Sequence, residues 1–273
     1  MMLKMFTKTL AIAAVVTFSL FISAGLASAA APGAKPDKQK WGFKGPRGTY
    51  DRPAMQRGYQ VYREVCASCH MLEQLSFHHL ADKGAPFYDE NFPNPNDNPV
   101  VKAFAKDWEI EDIDQDSGDP ITRPGVPADG FPDIYPNAIA AAAVNGGAIP
   151  PDLSLIIPAR GGGADYLYAL LANGYVDAPA GFKVGEGTNY NTYFPGNQIA
   201  MAQPLFEGGV EYKDGPEATV DQMSKDLVEF LAWAGDPKME VRKKTGFGAF
   251  LFLFIFTLLL FMTYKEVWRN VKH

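Results

Sequence analysis

Only two cysteines occur in 273 residues, and they lie three positions apart. That excludes a disulfide-stapled fold, whose paired cysteines would be spread along the chain. Histidine is nearly as scarce, with four copies, which leaves little material for a zinc site built from Cys and His. Basic residues are outnumbered, 25 Lys and Arg against 31 Asp and Glu, for a net charge of −6. A nucleic-acid binder that neutralises phosphates needs the opposite sign. Long apolar runs are missing from the middle of the sequence and occur only near its two ends. What remains is the composition of a folded chain of one or two domains, 47% apolar and 21% charged. With 26 glycines and 21 prolines, it should have long irregular connections rather than an idealised helical bundle.

The first apolar run follows Lys4 and Lys8, extends from Leu10 to Ile22, and ends in Ala27-Ser28-Ala29. A basic start, a short apolar core and small residues before a cleavage point describe a secretory signal. The alternative, a membrane anchor, needs about 20 apolar residues. Residues 1–29 are therefore expected to be removed after export. The second run, Gly246 to Tyr264, carries no charge and at ~1.5 Å per residue covers roughly the hydrocarbon thickness of a bilayer. Arg242, Lys243 and Lys244 precede it, and Tyr264, Lys265 and Trp268 lie at its far end, where interface anchors are expected. It predicts a single C-terminal transmembrane helix. Basic residues on the two sides balance, so the signal decides orientation. Residues 30–245 form an exported, acidic domain, residues 246–264 the anchor and residues 265–273 a cytoplasmic tail.

Between the ends, three helices are expected. Pro53 to Val65 carries Met55, Tyr59, Tyr62 and Val65 on one face. Ala164 to Asn173 turns Leu167, Leu170 and Leu171 inward, with Gly174 as its stop. Thr219 to Ala234 has a stripe of Val220, Met223, Leu227, Phe230 and Leu231. Residues 83–137 and 174–218 read as loops rich in Pro, Gly and Asn, and strand signals are weak throughout. Short helices joined by such long loops are unusual in a compact domain, unless a large prosthetic group fills its centre.

Cys66-Ala67-Ser68-Cys69-His70 supplies an attachment site for such a group. Two residues between the thiols let both reach the vinyl groups of one haem, and the next residue can place an imidazole on the iron. A redox dithiol does not need that histidine, and a zinc site would need further ligands. The sixth iron position has candidates in Met71, Met201, Met223, Met239, His78 and His79. Met71 adjoins the proximal ligand, Met223 belongs to an apolar helix stripe, and Met239 lies beside the membrane-proximal basic cluster. His78 or His79 would leave a tight path around the haem. Met201 lies in an irregular segment, Phe194 to Pro204, that can fold over it. Methionine opposite histidine raises the reduction potential.

With these residues assembled, the chain closely resembles the cytochrome c1 family, the haem subunits of cytochrome bc1 complexes (ubiquinol–cytochrome c oxidoreductases). The resemblance is carried by Trp41 to Tyr50, Gln56 to Tyr62 before the haem motif, and Thr122-Arg123-Pro124-Gly125. It continues through Tyr135-Pro136-Asn137, Gly147 to Ser154, Ala159-Arg160, Asp165-Tyr166, Tyr193 to Asn197, Ile199 to Ala202 and the tail anchor. It implies a mainly α, cytochrome c-like domain with long loop insertions and one C-terminal transmembrane helix. It further implies one covalent haem c on Cys66 and Cys69 with His70 and Met201 as axial ligands. Arg160 would pair with a haem propionate, since a guanidinium matches a carboxylate, with Tyr166 near the same edge and Asn145 near the haem. From the residues alone, Arg160 reads equally as an exposed loop cation. Gly146, Ala142 and Gln203 depart from the usual asparagine, arginine and proline of the family.

The function implied is a one-electron relay from a Rieske iron–sulfur protein to a soluble c-type cytochrome, beside cytochrome b in a bacterial inner membrane, with the haem domain in the periplasm. No substrate bond would be made or broken on this chain. Asp107 to Asp119 holds seven acids and no base. It reads as a solvated loop that also attracts a basic soluble cytochrome c. A haem peroxidase or reductase and a tethered gas sensor remain alternatives, each requiring an open iron site.

Overall fold

A computed structural model describes residues 33–271. The export signal lies outside the described residues. Two helices at the centre establish the frame. Helix α1 (Arg52–Val61) starts at Asp51, whose side chain accepts from the Ala54 amide, with Pro53 in its first turn. Its final turn widens into a π-turn, Tyr62–Cys66, in which the Ala67 amide donates to the Tyr62 carbonyl at 2.7 Å. Helical structure thus reaches Cys66, one residue past the expected end, and delivers the first cysteine of the motif. Such π-turns recur at functional sites.

The chain continues through α2 (Pro99–Lys106), strands β1 (Glu109–Ile113) and β2 (Pro120–Pro124), and α3 (Ala138–Val144). Helix α4 (Ala164–Ala172) follows, then the short strands β3 (Asn189–Tyr190) and β4 (Gln198–Ile199), α5 (Val220–Gly235) and α6 (Met239–Trp268). The three helices expected in the soluble part are present within a residue or two. The fold is mainly α, as expected.

Helix α5 is capped by the Thr219 side chain and packs across α1. The crossing is close enough that a Cβ at Gly58 would lie 2.0 Å from the Asp226 carbonyl oxygen, so only glycine fits. Tyr59, Tyr62 and Phe230 meet there as tilted and edge-on aromatic pairs. Arg57 of α1 forks onto both carboxylate oxygens of Asp226 at 2.9 Å. That pairing accounts for a charged side chain buried in α5.

Two expectations need correction. Residues 83–137 are not simply loop, because they contain α2 and the antiparallel pair β1–β2, with Glu109 opposite Pro124 and Ile113 opposite Pro120. The acidic stretch is therefore largely a hairpin. Arg123 on β2 bridges Asp112 on β1 at 2.6 Å and Asp129 at 2.7 Å, and Asp114 accepts from the Asp116 and Ser117 amides in the turn. Gly174 also differs from its expected role. Helix α4 ends at Ala172 with Asn173 as its C-cap, and Gly174 is not among the residues with positive φ. It is small because Asn191 packs against it, with side-chain atoms 2.4 Å from where a Cβ would sit.

Helix α6 is 30 residues long, roughly 45 Å at ~1.5 Å per residue. Among the described residues it is the one helix long and apolar enough to cross a membrane. Its first two turns are tied to the domain, because Lys243 Nζ donates to the Phe43 and Gly48 carbonyls and Glu240 accepts from the Tyr50 amide. From Phe247 onward its large apolar side chains are exposed, as a lipid-facing helix requires.

Candidate functional site

The π-turn ends at Cys66, and a tight turn follows in which the Cys69 and His70 amides both donate to the Cys66 carbonyl. Both thiols and the imidazole therefore lie on one short, hydrogen-bonded segment. Tyr62 steadies it further, its hydroxyl donating to the His70 carbonyl at 3.1 Å. Burial pushes the Cys66 thiol up to about 12, so in the free protein it stays a thiol. Burial also lowers the pKa of His70, keeping its ring neutral, the form that binds a metal.

The His70 ring is oriented by the backbone of a distant loop. Its Nδ1 lies 2.8 Å from the Pro151 carbonyl oxygen. A carbonyl only accepts, so Nδ1 carries the proton and Nε2 keeps its lone pair. The loop holding Pro151 is itself fixed, because the Leu153 amide donates to the Met71 carbonyl and Asp152 accepts from the Glu73 amide.

Cys66, Cys69, His70, Asn145, Arg160, Tyr166 and Met201 all line one cavity of about 650 Å³. The motif residues, Met201 and the three residues that the resemblance adds thus border one space, while the other candidates for the sixth iron position do not. The walls are mostly apolar, with Leu153, Ile156, Leu170 and Leu171 on one part and Leu227 and Leu231 of α5 on another. The size suits a large organic ligand. Two thiols, a neutral imidazole and a thioether around an apolar space fit a covalently held haem. Among the described residues no group of three Cys, His, Asp or Glu side chains is placed to hold a metal ion directly.

The competing ligands lie elsewhere. His78 and His79 do not line the cavity. The His79 ring accepts from the Ser76 amide, and His78 sits against the Pro127 carbonyl. Met223 and Met239 are buried in the core. Arg160 is exposed at the cavity rim, and its one side-chain contact is to its neighbour's carbonyl at 3.4 Å. Asn145 caps α3, with its amide donating to the Tyr135 hydroxyl and the Ala141 carbonyl. Burial raises the pKa of Tyr166, which stays a neutral phenol. Gly146 and Gln203, two of the family departures, also line the cavity.

Sequence reasoning missed the residues that hold the site from behind. Asp165 is buried at the start of α4 and accepts from Trp41 Nε1 at 2.6 Å, Lys44 Nζ at 2.8 Å and the Gln39 amide. Burial alone would raise its pKa, but these donors outweigh it and hold the carboxyl below its ordinary value. Asn191, fully buried, donates to the Leu170 carbonyl and accepts from the Tyr193 and Phe194 amides. It staples the Met201 segment to α4. The signal available for it was the run of asparagines and aromatics from Asn189 to Asn197.

Comparison with known proteins agrees with this geometry. The profile of the Cytochrome C1 family matches residues 41–271. The chain is 45% identical to the cytochrome b/c1 of Bradyrhizobium diazoefficiens over 96% of its own length, spanning 40% of that longer protein. It is 43% identical to the mitochondrial cytochrome c1 haem protein of Kluyveromyces lactis, covering 85% of this chain and 76% of the relative. It is 42% identical to the mitochondrial cytochrome b-c1 complex catalytic subunit of Candida albicans, covering 92% and 84%. The chain belongs to the cytochrome c1 family.

Proposed function

We propose that this chain is the haem-carrying electron-transfer subunit of a membrane-bound cytochrome bc1 complex. The observation that carries the reading is that the Cys66-to-His70 motif and Met201 both open onto the same mostly apolar cavity, in a chain of this family. When bound, haem c supplies a one-electron ferric–ferrous couple. Cys66 and Cys69 would hold it through thioether bonds, and His70 and Met201 would bind its iron. The Pro151 carbonyl keeps the His70 proton on Nδ1, so the electron can pass without a proton leaving that ring. Leu153, Ile156 and Leu231 exclude water and so limit solvent reorganisation, and Arg160 at the rim would pair with a propionate.

The chain takes one electron from a Rieske iron–sulfur protein and gives it to a soluble basic c-type cytochrome, with no substrate bond made or broken on it. Residues 1–29 direct export, residues 30–245 form the periplasmic domain, α6 spans a bacterial inner membrane beside cytochrome b, and residues 265–273 face the cytoplasm. The names of the relatives, which include a cytochrome b/c1 and a cytochrome b-c1 complex subunit, support this assembly. An open-site peroxidase or sensor is disfavoured because a thioether lines the same cavity as the imidazole. Mild-detergent purification of the tagged chain should bring cytochrome b and a Rieske protein with it in equal amounts. A haem-loaded chain that elutes alone under conditions that leave other respiratory complexes intact would refute the reading.

A further inference from the structure

The backbone carbonyl of Met201 receives two side-chain donors from different parts of the chain. The Tyr175 hydroxyl donates to it at 3.1 Å, and Asn189 Nδ2 at 3.3 Å. Among the described residues no backbone amide donates to this carbonyl, so both of its lone pairs are served by side chains alone. The segment around it needs such help. Strand β4 ends at Ile199, and Gly196 and Asn197 just before it adopt positive φ. The peptide that carries the thioether therefore lies outside any ladder.

Both donors are anchored behind the cavity. Tyr175 follows Gly174, whose carbonyl accepts from the Thr192 amide and whose Cα lies against Asn191. Asn189 is in β3, directly opposite Ile199 of β4. Neither Tyr175 nor Asn189 lines the cavity, so neither can touch a group bound there. Their contact with the site runs through Met201.

We propose that Tyr175 and Asn189 are positioning residues that clamp the Met201 peptide and thereby keep its thioether on the haem iron. This rests on Met201 being the axial ligand. Two bonds from separate anchors remove the rotation of one peptide plane, which neither bond would do alone. Without them the segment moves, the sulfur leaves more often, and small ligands gain access to the iron.

The test uses the full-length, haem-loaded protein in detergent, with Tyr175→Phe, Asn189→Ala and the double variant. Two readouts are independent of electron-transfer activity: the methionine-to-ferric-iron charge-transfer band, and carbon monoxide binding to the reduced protein. The parent should show the band and refuse carbon monoxide. Each single variant should lose the band at lower denaturant, and carbon monoxide binding should rise roughly fivefold per bond removed, while far-ultraviolet circular dichroism keeps its midpoint. If Tyr175→Phe does not fold, Asn189→Ala alone must show the same change. Variants that match a band-bearing parent on both readouts overturn the clamp and leave Met201 ligation standing. A parent without the band overturns both.

Discussion

Gly58 of α1 and Asp226 of α5 meet backbone to backbone, with the Asp226 carbonyl oxygen 2.0 Å from the place a Cβ on Gly58 would occupy. The helix that delivers the haem motif is thereby seated on the helix that supplies Leu227 and Leu231 to the cavity wall. Alanine is the better helix former by about 1 kcal/mol, so propensity alone would make Gly58→Ala stabilising. Steric overlap with a backbone atom that cannot swing away should dominate instead. A net loss of roughly 1–3 kcal/mol or more is expected, read as a lower denaturant midpoint in the haem-loaded protein.

Arg160 is exposed at the cavity rim, has no carboxylate partner among the described residues, and follows a run of turns that includes Pro158 and Ala159. A cation there favours the form of the haem with more negative charge, which is the reduced one. Arg160→Gln should lower the midpoint potential by tens of millivolts without changing the axial-ligand spectrum. Redox titration in detergent checks both, and an unchanged potential would place Arg160 away from the propionates.

The acidic hairpin separates its charges by role. Asp107 pairs with Arg63, Asp112 pairs with Arg123, and Asp114 caps the turn. Glu109, Glu111, Asp116 and Asp119 have no cationic partner among the described residues and are free to act at a distance. Changing those four to amides should lower the second-order rate of electron transfer to a basic cytochrome c about tenfold at low salt. The difference should vanish as the screening length falls below ~8–10 Å. Asp112→Asn should instead loosen the hairpin. Stopped-flow rates across a salt series distinguish the two effects, and equal rates for parent and quadruple variant at low salt would remove the steering role.

Glu229 is buried in α5, where desolvation, with smaller contributions from Asp51 and Asp226, raises its pKa from an ordinary 4.5 to about 7 despite the Asp51 amide that donates to it. A raised folded-state pKa means that the folded protein binds the proton more tightly than the unfolded chain. Its stabilising contribution is full below about pH 4.5 and is lost as pH rises through about 7. Glu229→Gln mimics the protonated side chain and still accepts from Asp51. The parent should therefore lose thermal stability between pH 5 and pH 8 relative to Glu229→Gln, with the gap widening at the alkaline end. A constant gap across that range would show that Glu229 does not titrate there.

The parts legible in the sequence were those written in local patterns. The spacing of Met55, Tyr59 and Tyr62 gave α1, the Val220-to-Leu231 stripe gave α5, and an uncharged run gave the core of α6. The haem motif placed Cys66, Cys69 and His70 without help, because one turn of chain contains the chemistry. Met201 was separable from five rivals only by its irregular surroundings, and the cavity it shares with His70 is built by side chains far apart in sequence. The hairpin was hidden because its inward positions include the charged pair Asp112 and Arg123 while Ile113 and Ile121 face outward, so apolar–polar alternation is broken. The Pro151, Tyr175 and Asn189 contacts were invisible for another reason. They are long-range bonds that involve backbone carbonyls, which every residue possesses.

Replacement of the thioether tests most directly whether His70 and Met201 hold one haem iron between them. In the solubilised Met201→Leu protein, the reduced form should bind carbon monoxide, which the parent refuses. Its midpoint potential should fall by on the order of 100 mV or more, since methionine opposite histidine raises it. A Met201→Leu protein with the parent's optical bands, its potential and its indifference to carbon monoxide would contradict the proposed ligation.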